Sequence, residues 1–350
     1  MVIDYYLGRT ILYHTGISLG VLLGLFSFVT FIDQLGDMGI GNYNIVEVVK
    51  FVLLSVPYTL YELFPMGALL GTILALNSLA VDSELVVLRA AGFSLSKLTG
   101  SVLKTGLVMV VFAVAIGEFV SPTTETMAKN GRASALQETV RQQTEYGLWM
   151  RDTSTYVNIG EILPDLTLRD VRVFEFDNST RLRSLVYAEG GQFVDGTWRL
   201  NRIHQTVIRS DGKSDARKLP SAKWETNVSP QIMQVFLIKP EQMSVWQLKR
   251  YILHLRKNDQ ETSRFELAFW TKIVLPLSIG VMIALAIPFV FGNLRAGTGG
   301  RNLFIGIMIG LTFYAANKSL GYVVIAYGIA PVFGALIPLV AFMLLAIIMY

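Results

Sequence analysis

Six stretches of the chain run for about 20 residues with little or no charge, from roughly Ile11 to Ile32, Val52 to Ala80, Val102 to Val120, Leu267 to Phe291, Asn302 to Tyr327 and Pro331 to Tyr350. A helix crossing the roughly 30 Å hydrocarbon core needs about 20 apolar residues at about 1.5 Å each, so each stretch is long enough to span a bilayer. The charge-free run of the third, between Lys104 and Glu118, is short and relies on both end groups reaching toward the interfaces. The first is too long for a signal-peptide core and no A-x-A-like site follows it, so it is expected to remain as an anchor.

Between the third and fourth spans the pattern changes abruptly. Pro122 is expected to close the third span, and a polar helical stretch through Met127, Ala135, Leu136 and Val140 follows. Short runs then alternate apolar and polar, at Tyr156 to Ile159, Val171 to Phe176 and Leu185 to Ala188, as half-buried strands require. In Phe193-Val194-Asp195-Gly196-Thr197-Trp198, Asp-Gly supplies the two positive-φ residues of a tight hairpin. Such spacing predicts a sandwich or jelly roll. The expected fold is therefore a polytopic α-helical membrane protein with six spans and an inserted all-β, jelly-roll-like domain. Its parts are residues 1–120 with spans one to three, 121–266 with the β domain and flanking helices, and 267–350 with spans four to six. Before span four, Ser244 can cap a helix with Val245, Leu248, Ile252 and Leu255 on one face and Lys249, Arg250, Arg256 and Lys257 opposite. Trp246 and Tyr251 suit a helix lying on the membrane surface; packing on the β domain is the other reading.

Composition agrees with lipid covering part of the chain: 52% of residues are hydrophobic and 16% charged, too few polar groups to coat a soluble domain of 350 residues. Lys and Arg in the short loops set orientation. Arg89, Lys97 and Lys104 follow span two and Arg295 and Arg301 follow span four, whereas the loop after span one has Lys50 beside Asp33, Asp37 and Glu47. Both termini are thus expected inside the cytoplasm and the β domain outside it. The net charge of +4 is dispersed, with no run of five basic residues, which argues against nucleic acid. With no cysteine, disulfides, thiolate metal ligands and cysteine nucleophiles are excluded.

Enzymatic motifs fail on context. Gly16-Ile17-Ser18-Leu19-Gly20 has the spacing of a nucleophile elbow but lies mid-helix, where no strand-to-helix turn exposes the serine. There is no phosphate-binding G-x-x-x-x-G-K-[ST], and Gly297-Thr298-Gly299-Gly300-Arg301 lacks its lysine, so this chain is not itself a P-loop ATPase. His14, His204 and His254 lack metal-ligand spacing. No catalytic or metal site is expected. Other features persist. Gly16, Gly20 and Gly24 share one face of span one, and Gly67/Gly71 and Gly306/Gly310 repeat the spacing, which lets helices approach closely, either as generic packing or as a movable interface. Lys272, Lys318 and Glu62 are ionisable groups within spans, where charge is costly and faces protein, water or a polar ligand. Lys272 and Lys318 fall in the outer parts of their spans, at headgroup depth; Glu62 could pair with a lysine. After span two, Asp82 or Ser83 can cap a short helix made apolar by Leu85, Val86, Val87 and Leu88 and ended by Gly92, and an exposed apolar helix implies a partner.

The sequence resembles the lipopolysaccharide-export permeases, the LptF/LptG family of Gram-negative bacteria, and within it the LptG branch. Ser83-Glu84-Leu85-Val86-Val87 with Ala91-Gly92-Phe93, Phe31-Ile32-Asp33-Gln34-Leu35, Ser55-Val56-Pro57, Phe64-Pro65-Met66, Gly117-Glu118, Gly147-Leu148-Trp149 and Pro276-Leu277 carry the resemblance from the first span to the last. It implies an inner-membrane subunit of an ATP-driven transporter, paired with the homologous permease LptF on a dimer of the ATPase LptB, which would hold the ATP and magnesium; no cofactor would bind this chain. Lipopolysaccharide would pass through LptC to a periplasmic LptA bridge. Asp82, Ser83, Glu84, Leu85, Leu88 and Arg89 would form the ATPase-coupling helix, with Glu84 meeting a basic residue of the ATPase. Spans one and five would form lateral gates, suiting Gly16, Gly20, Gly24, Gly306 and Gly310. Relatives often carry lysines at the outer end of span one where this chain has Thr30, Gly36 and Asp37, so Lys272, Lys318 and Gln34 are the candidates to meet a lipid headgroup. A membrane-anchored scaffold whose β domain docks envelope partners is the alternative, but it leaves six spans and an apolar helix unexplained. An enzyme acting on envelope lipid would need clustered carboxylates or histidines near the interface.

Overall fold

The computed structural model describes residues 2–92, 94–136, 148–152, 155–162, 167–177, 181–194, 196–209, 213–224, 226, 240–257, 260–291 and 299–349. In chain order these form α1 (Val2–Leu35), α2 (Ile45–Val81), α3 (Glu84–Ala90), α4 (Leu95–Ala115), a π turn (Ile116–Val120) and α5 (Ser121–Leu136). Six strands follow, β1 (Leu148–Asp152), β2 (Thr155–Ile162), β3 (Leu168–Phe176), β4 (Leu182–Val194), β5 (Thr197–Ile208) and β6 (Ser214–Trp224). A 3₁₀ turn (Pro240–Gln242) leads to α6 (Val245–Lys257), α7 (Ser263–Phe291), α8 (Gly299–Ala326) and α9 (Pro331–Met349). Six helical units are long and apolar enough to cross a membrane: α1, α2, α4 continued into α5, α7, α8 and α9.

These units are unequally buried. In their most apolar stretches 72% of α2 and 61% of α7 is buried, against 22% of α1 and 17% of α8, so α2 and α7 form the centre of the bundle. Phe64, Ala68, Leu76 and Leu79 of α2 meet Leu275, Ile279 and Ile283 of α7 in one apolar cluster with Leu7 and Ile11 of α1 and Val102 and Met109 of α4. Pro57 and Pro65 sit inside α2 and Pro276 and Pro288 inside α7; such prolines are tolerated where neighbouring helices pack around the freed backbone.

Pro122 does not break the helix of the third span. The helix runs on through it to Leu136, a continuous unit of 40 residues from Lys97. In the π turn, the Ser121 N–H donates to the Ile116 carbonyl five residues back. This wider turn relaxes the ladder just where the proline ring would otherwise crowd it, and α5 carries the chain out beyond the apolar layer.

The strands form one antiparallel sheet in strict sequence order, β1 to β6. Its alternation is as the apolar pattern requires: Met150, Val157, Ile159, Val171, Val173, Ala188 and Ile203 fall on one face and pack in one cluster with Trp198 and Leu200. The hairpin at 193–198 pairs Phe193 with Trp198 and Val194 with Thr197, with Gly196 at φ +77°. A jelly roll needs a second sheet and strands that cross between sheets; the described strands make a single meander. Val140 lies outside the described residues, as do the loop residues Arg295 and Gly297.

Candidate functional site

At the end of the bundle that holds the N-terminus, α3 lies across the ends of α1, α2 and α4. Leu85 is completely buried in the apolar cluster with Leu7, Leu79 and Leu98, and Leu88 packs against it. Val86 and Val87, on the other side, are 56% and 65% exposed. The helix begins at Ser83, whose φ of +60° turns the chain sharply and whose carbonyl accepts from the Val86 and Val87 N–H groups. Asp82 instead ends α2, its N–H donating to the Ser78 and Ala80 carbonyls. Gly92, at φ +86°, ends α3 as expected. Glu84 accepts a hydrogen bond of 2.9 Å from the Tyr6 hydroxyl of α1, which ties this helix to the first span. The Arg89 side chain lies outside the described residues.

At the opposite, β-domain end, Gln34 is buried and accepts from the Tyr43 hydroxyl at 3.1 Å and from Arg132 Nε of α5 at 2.9 Å. Arg132 also pairs with Asp37 at 2.6 Å. Burial pushes the Tyr43 phenol above its ordinary value. Gly41, at φ +56°, lets the α1–α2 loop pass so close to Ala135 and Leu136 that a Cβ would lie 2.8 Å from the Ala135 carbonyl oxygen. Asn42 N–H donates to that carbonyl at 2.7 Å. Gln34 is therefore part of a clamp between α1, its following loop and α5.

Lys272 and Lys318 meet at one cavity of about 190 Å³ between α2, α7, α8 and the 3₁₀ turn. Lys318 Nζ pairs with Glu62, which also accepts from the Tyr58 hydroxyl at 3.4 Å, so the intramembrane carboxylate has a lysine partner from another span. Lys272 is only 7% exposed; its ammonium donates to the Met243 carbonyl and its own carbonyl accepts from Tyr61 at 3.0 Å. Lys272 is thus enclosed by the protein, whereas the Lys318 side chain stays 43% exposed while paired with Glu62.

The glycine faces divide. Nothing lies within 4 Å of where a Cβ would stand on Gly16, Gly20 or Gly24, so this face of α1 is open. Gly67 and Gly71 of α2 instead touch Leu19 and Thr15 of α1. Gly306 and Gly310 of α8 face Ile73 and Met66 of α2, each at 2.6 Å from an added Cβ. That pair closes a contact within this chain, the packing reading of its spacing: α8 rests on α2 because those two glycines have no side chains.

Gly117-Glu118 has a role that its sequence context does not reveal. The π turn aims Glu118 at the start of α6, where its carboxylate accepts from the Val245 N–H at 2.9 Å and the Trp246 N–H at 3.4 Å. Ser244 and Gln247 complete a reciprocal capping pair, Gln247 N–H to Ser244 Oγ at 3.1 Å and Ser244 N–H to Gln247 Oε1 at 2.8 Å. The S-x-x-Q spacing was readable in the sequence; the approach of Glu118 was not, since it depends on the π turn. α6 packs on α7 through Leu248, Leu255, Ala268 and the Tyr251–Phe265 rings, 4.5 Å apart, with Trp246 exposed.

Six apolar helical units, a β meander inserted after the third, and a short apolar-faced helix tied to the first define a multi-pass membrane protein with a large extramembrane domain. The family described as lipopolysaccharide export system permease LptF/LptG matches residues 5–350, and the chain belongs to it. It is 37% identical over 345 residues to the lipopolysaccharide export system permease protein LptG of Haemophilus influenzae, covering 98% of this chain and 96% of that protein. To the protein of the same name from Escherichia coli K12 it is 35% identical over 348 residues, covering 99% and 97%.

Proposed function

We propose that this chain is the transmembrane permease subunit of an ATP-driven transporter that draws lipopolysaccharide from the inner membrane and passes it to a periplasmic bridge toward the outer membrane. In this reading both termini are cytoplasmic and the β domain is periplasmic, as the loop charges argue. The homologous permease LptF sits alongside. A dimer of LptB holds and hydrolyses ATP with magnesium, so this chain performs no covalent chemistry and binds no cofactor. LptC and LptA receive the lipid, and the β domain belongs with their jelly-roll chain.

One observation carries the mechanism. α3 buries Leu85 among the ends of α1, α2 and α4, bonds Glu84 to α1 through Tyr6, and leaves Val86 and Val87 outward. A partner that pushes on the valine face moves a helix fixed to the ends of α1, α2 and α4, and a packed interface transmits such a shift instead of absorbing it. Asp82, Ser83 and Arg89 complete the joint with the ATPase, and closure of the ATPase tilts α1, collapsing the space between the paired permeases. Lys272, Lys318 and Gln34 remain the groups of this chain at headgroup depth.

The test is ATPase activity and lipid release in proteoliposomes holding this chain, LptF and LptB, with wild type compared with Glu84→Ala. Release is expected to fall severalfold as assembly or ATP turnover weakens. Unchanged release removes Glu84 from the joint. Wild type that releases no lipopolysaccharide reopens the scaffold reading.

A further inference from the structure

The cavity between α2, α7, α8 and the 3₁₀ turn holds charges that its own side chains leave uneven. Lys318 and Glu62 satisfy each other. Lys272, 7% exposed, spends one N–H on the Met243 carbonyl and has no carboxylate within ion-pairing distance among the described residues. Glu241, at the same cavity, takes a single hydrogen bond among the described residues, from the Tyr322 hydroxyl at 3.2 Å. Beside it Gln242, also 7% exposed, presents an Oε1 with no hydrogen-bond partner among the described residues. A buried acceptor left unmet is costly, and a buried ammonium without an ion-pair partner is more so.

One ligand type meets all three demands: a zwitterion whose anion reaches Lys272 and whose cation reaches Glu241. The orphan Gln242 oxygen and the Glu241 carboxylate both require N–H donors, which a primary ammonium has and a quaternary one lacks. The volume of about 190 Å³ is below the roughly 300 Å³ at which pockets begin to enclose drug-sized ligands, so it admits a small headgroup but not a glycolipid core. Lys272 lies nine residues into α7 and Lys318 eight residues from the end of α8, each about 12–14 Å from the β-domain end of its helix, the depth at which a bilayer headgroup can be drawn in.

We propose that this cavity binds the phosphoethanolamine headgroup of a bilayer phospholipid, with the phosphate on Lys272, the ammonium on Glu241 and Gln242, and the acyl chains outside in the membrane. This assigns Lys272 a bilayer phospholipid in place of the exported lipid. The proposal requires only that α7 and α8 span the bilayer, so it stands or falls independently of what is exported.

The full-length chain is purified, equilibrated with equimolar phosphatidylethanolamine and phosphatidylcholine of identical acyl chains, and examined by native mass spectrometry. Wild type is expected to retain the ethanolamine lipid about tenfold over the choline lipid, the effect of one charge-assisted hydrogen bond. Glu241→Gln and Gln242→Leu should each bring that ratio close to one, and Lys272→Met should lower retention of both lipids. Glu241→Gln changes a partly exposed residue, so it reports even if Lys272→Met misfolds, and circular dichroism of each variant checks folding. Free phosphoethanolamine at millimolar concentration should compete the lipid off, separating headgroup binding from acyl adsorption. Equal retention by wild type, or a preference that survives Glu241→Gln, overturns the proposal. Lipopolysaccharide release assayed on the same preparations tests the export reading separately.

Discussion

Glycines with the same spacing do different work, and only their surroundings distinguish them. Gly71 faces the Thr15 backbone so closely that an added Cβ would collide with it, whereas one on Gly20 meets nothing within 4 Å. Backbone cannot retreat as a side-chain tip can, so a methyl at Gly71 forces α1 and α2 apart. Overpacking of this kind costs about 1–3 kcal/mol. Gly71→Ala is expected to lower the melting temperature of the detergent-purified chain, while Gly20→Ala leaves it unchanged. Equal melting of the two variants would mean that the α1–α2 contact is looser than its geometry implies. The same contrast explains why the sequence could not assign the glycine faces. The four-residue repeat announces a close approach, but whether the neighbour is another span of the chain or something outside it depends on how the helices are arranged around α2.

Among the elements, those with a strong period were legible from the sequence. The six apolar runs coincide with the cores of the six long helical units, though α1, α2 and α4 reach further than the runs because their ends are polar yet still helical. The alternating runs lie inside β2, β3 and β4, and Ser244 caps α6. What was not legible depends on register: proline is normally a boundary, and nothing in Ile116-Gly117-Glu118-Phe119-Val120 announces a π turn that carries the helix past Pro122. That turn has a consequence for α6. The Glu118 carboxylate meets the first N–H groups of α6, where the helix dipole favours negative charge. It thereby fastens the helix leading back from the β domain to the long helix that leads toward it. Losing a capping acceptor costs about 0.5–2 kcal/mol. Glu118→Ala is expected to speed hydrogen exchange severalfold in residues 245–250 with the spans unaffected, and Glu118→Gln, which keeps one acceptor, should fall between. Exchange that matches wild type would show that Ser244 and Gln247 suffice to hold the helix.

For the molecule as a whole, burial is arranged around one side. α2 and α7 are enclosed, while α1 offers its open Gly16, Gly20, Gly24 face together with exposed Tyr13, Ile17, Val21, Leu25 and Phe28. In a lipid bilayer exposed apolar residues need no cover, because lipid tails solvate them as well as protein would. A row of missing side chains is different: lipid fills it loosely, and a second helix fills it well. The face lies on the span that Tyr6 couples to α3, so a helix seated there would feel every displacement of Glu84. If the partner permease or another subunit occupies it during export, Gly20→Leu should shift the melting of the isolated chain by no more than about 0.5 kcal/mol, as outward substitutions do. It should nonetheless reduce lipid release from the assembled complex severalfold. The chain contains no cysteine, so Val21→Cys, 68% exposed in wild type, places a single thiol beside the face without background. Crosslinking from that thiol to a partner helix, reduced when Gly20→Leu is added, would establish the contact, and release unaffected by Gly20→Leu would return the face to lipid.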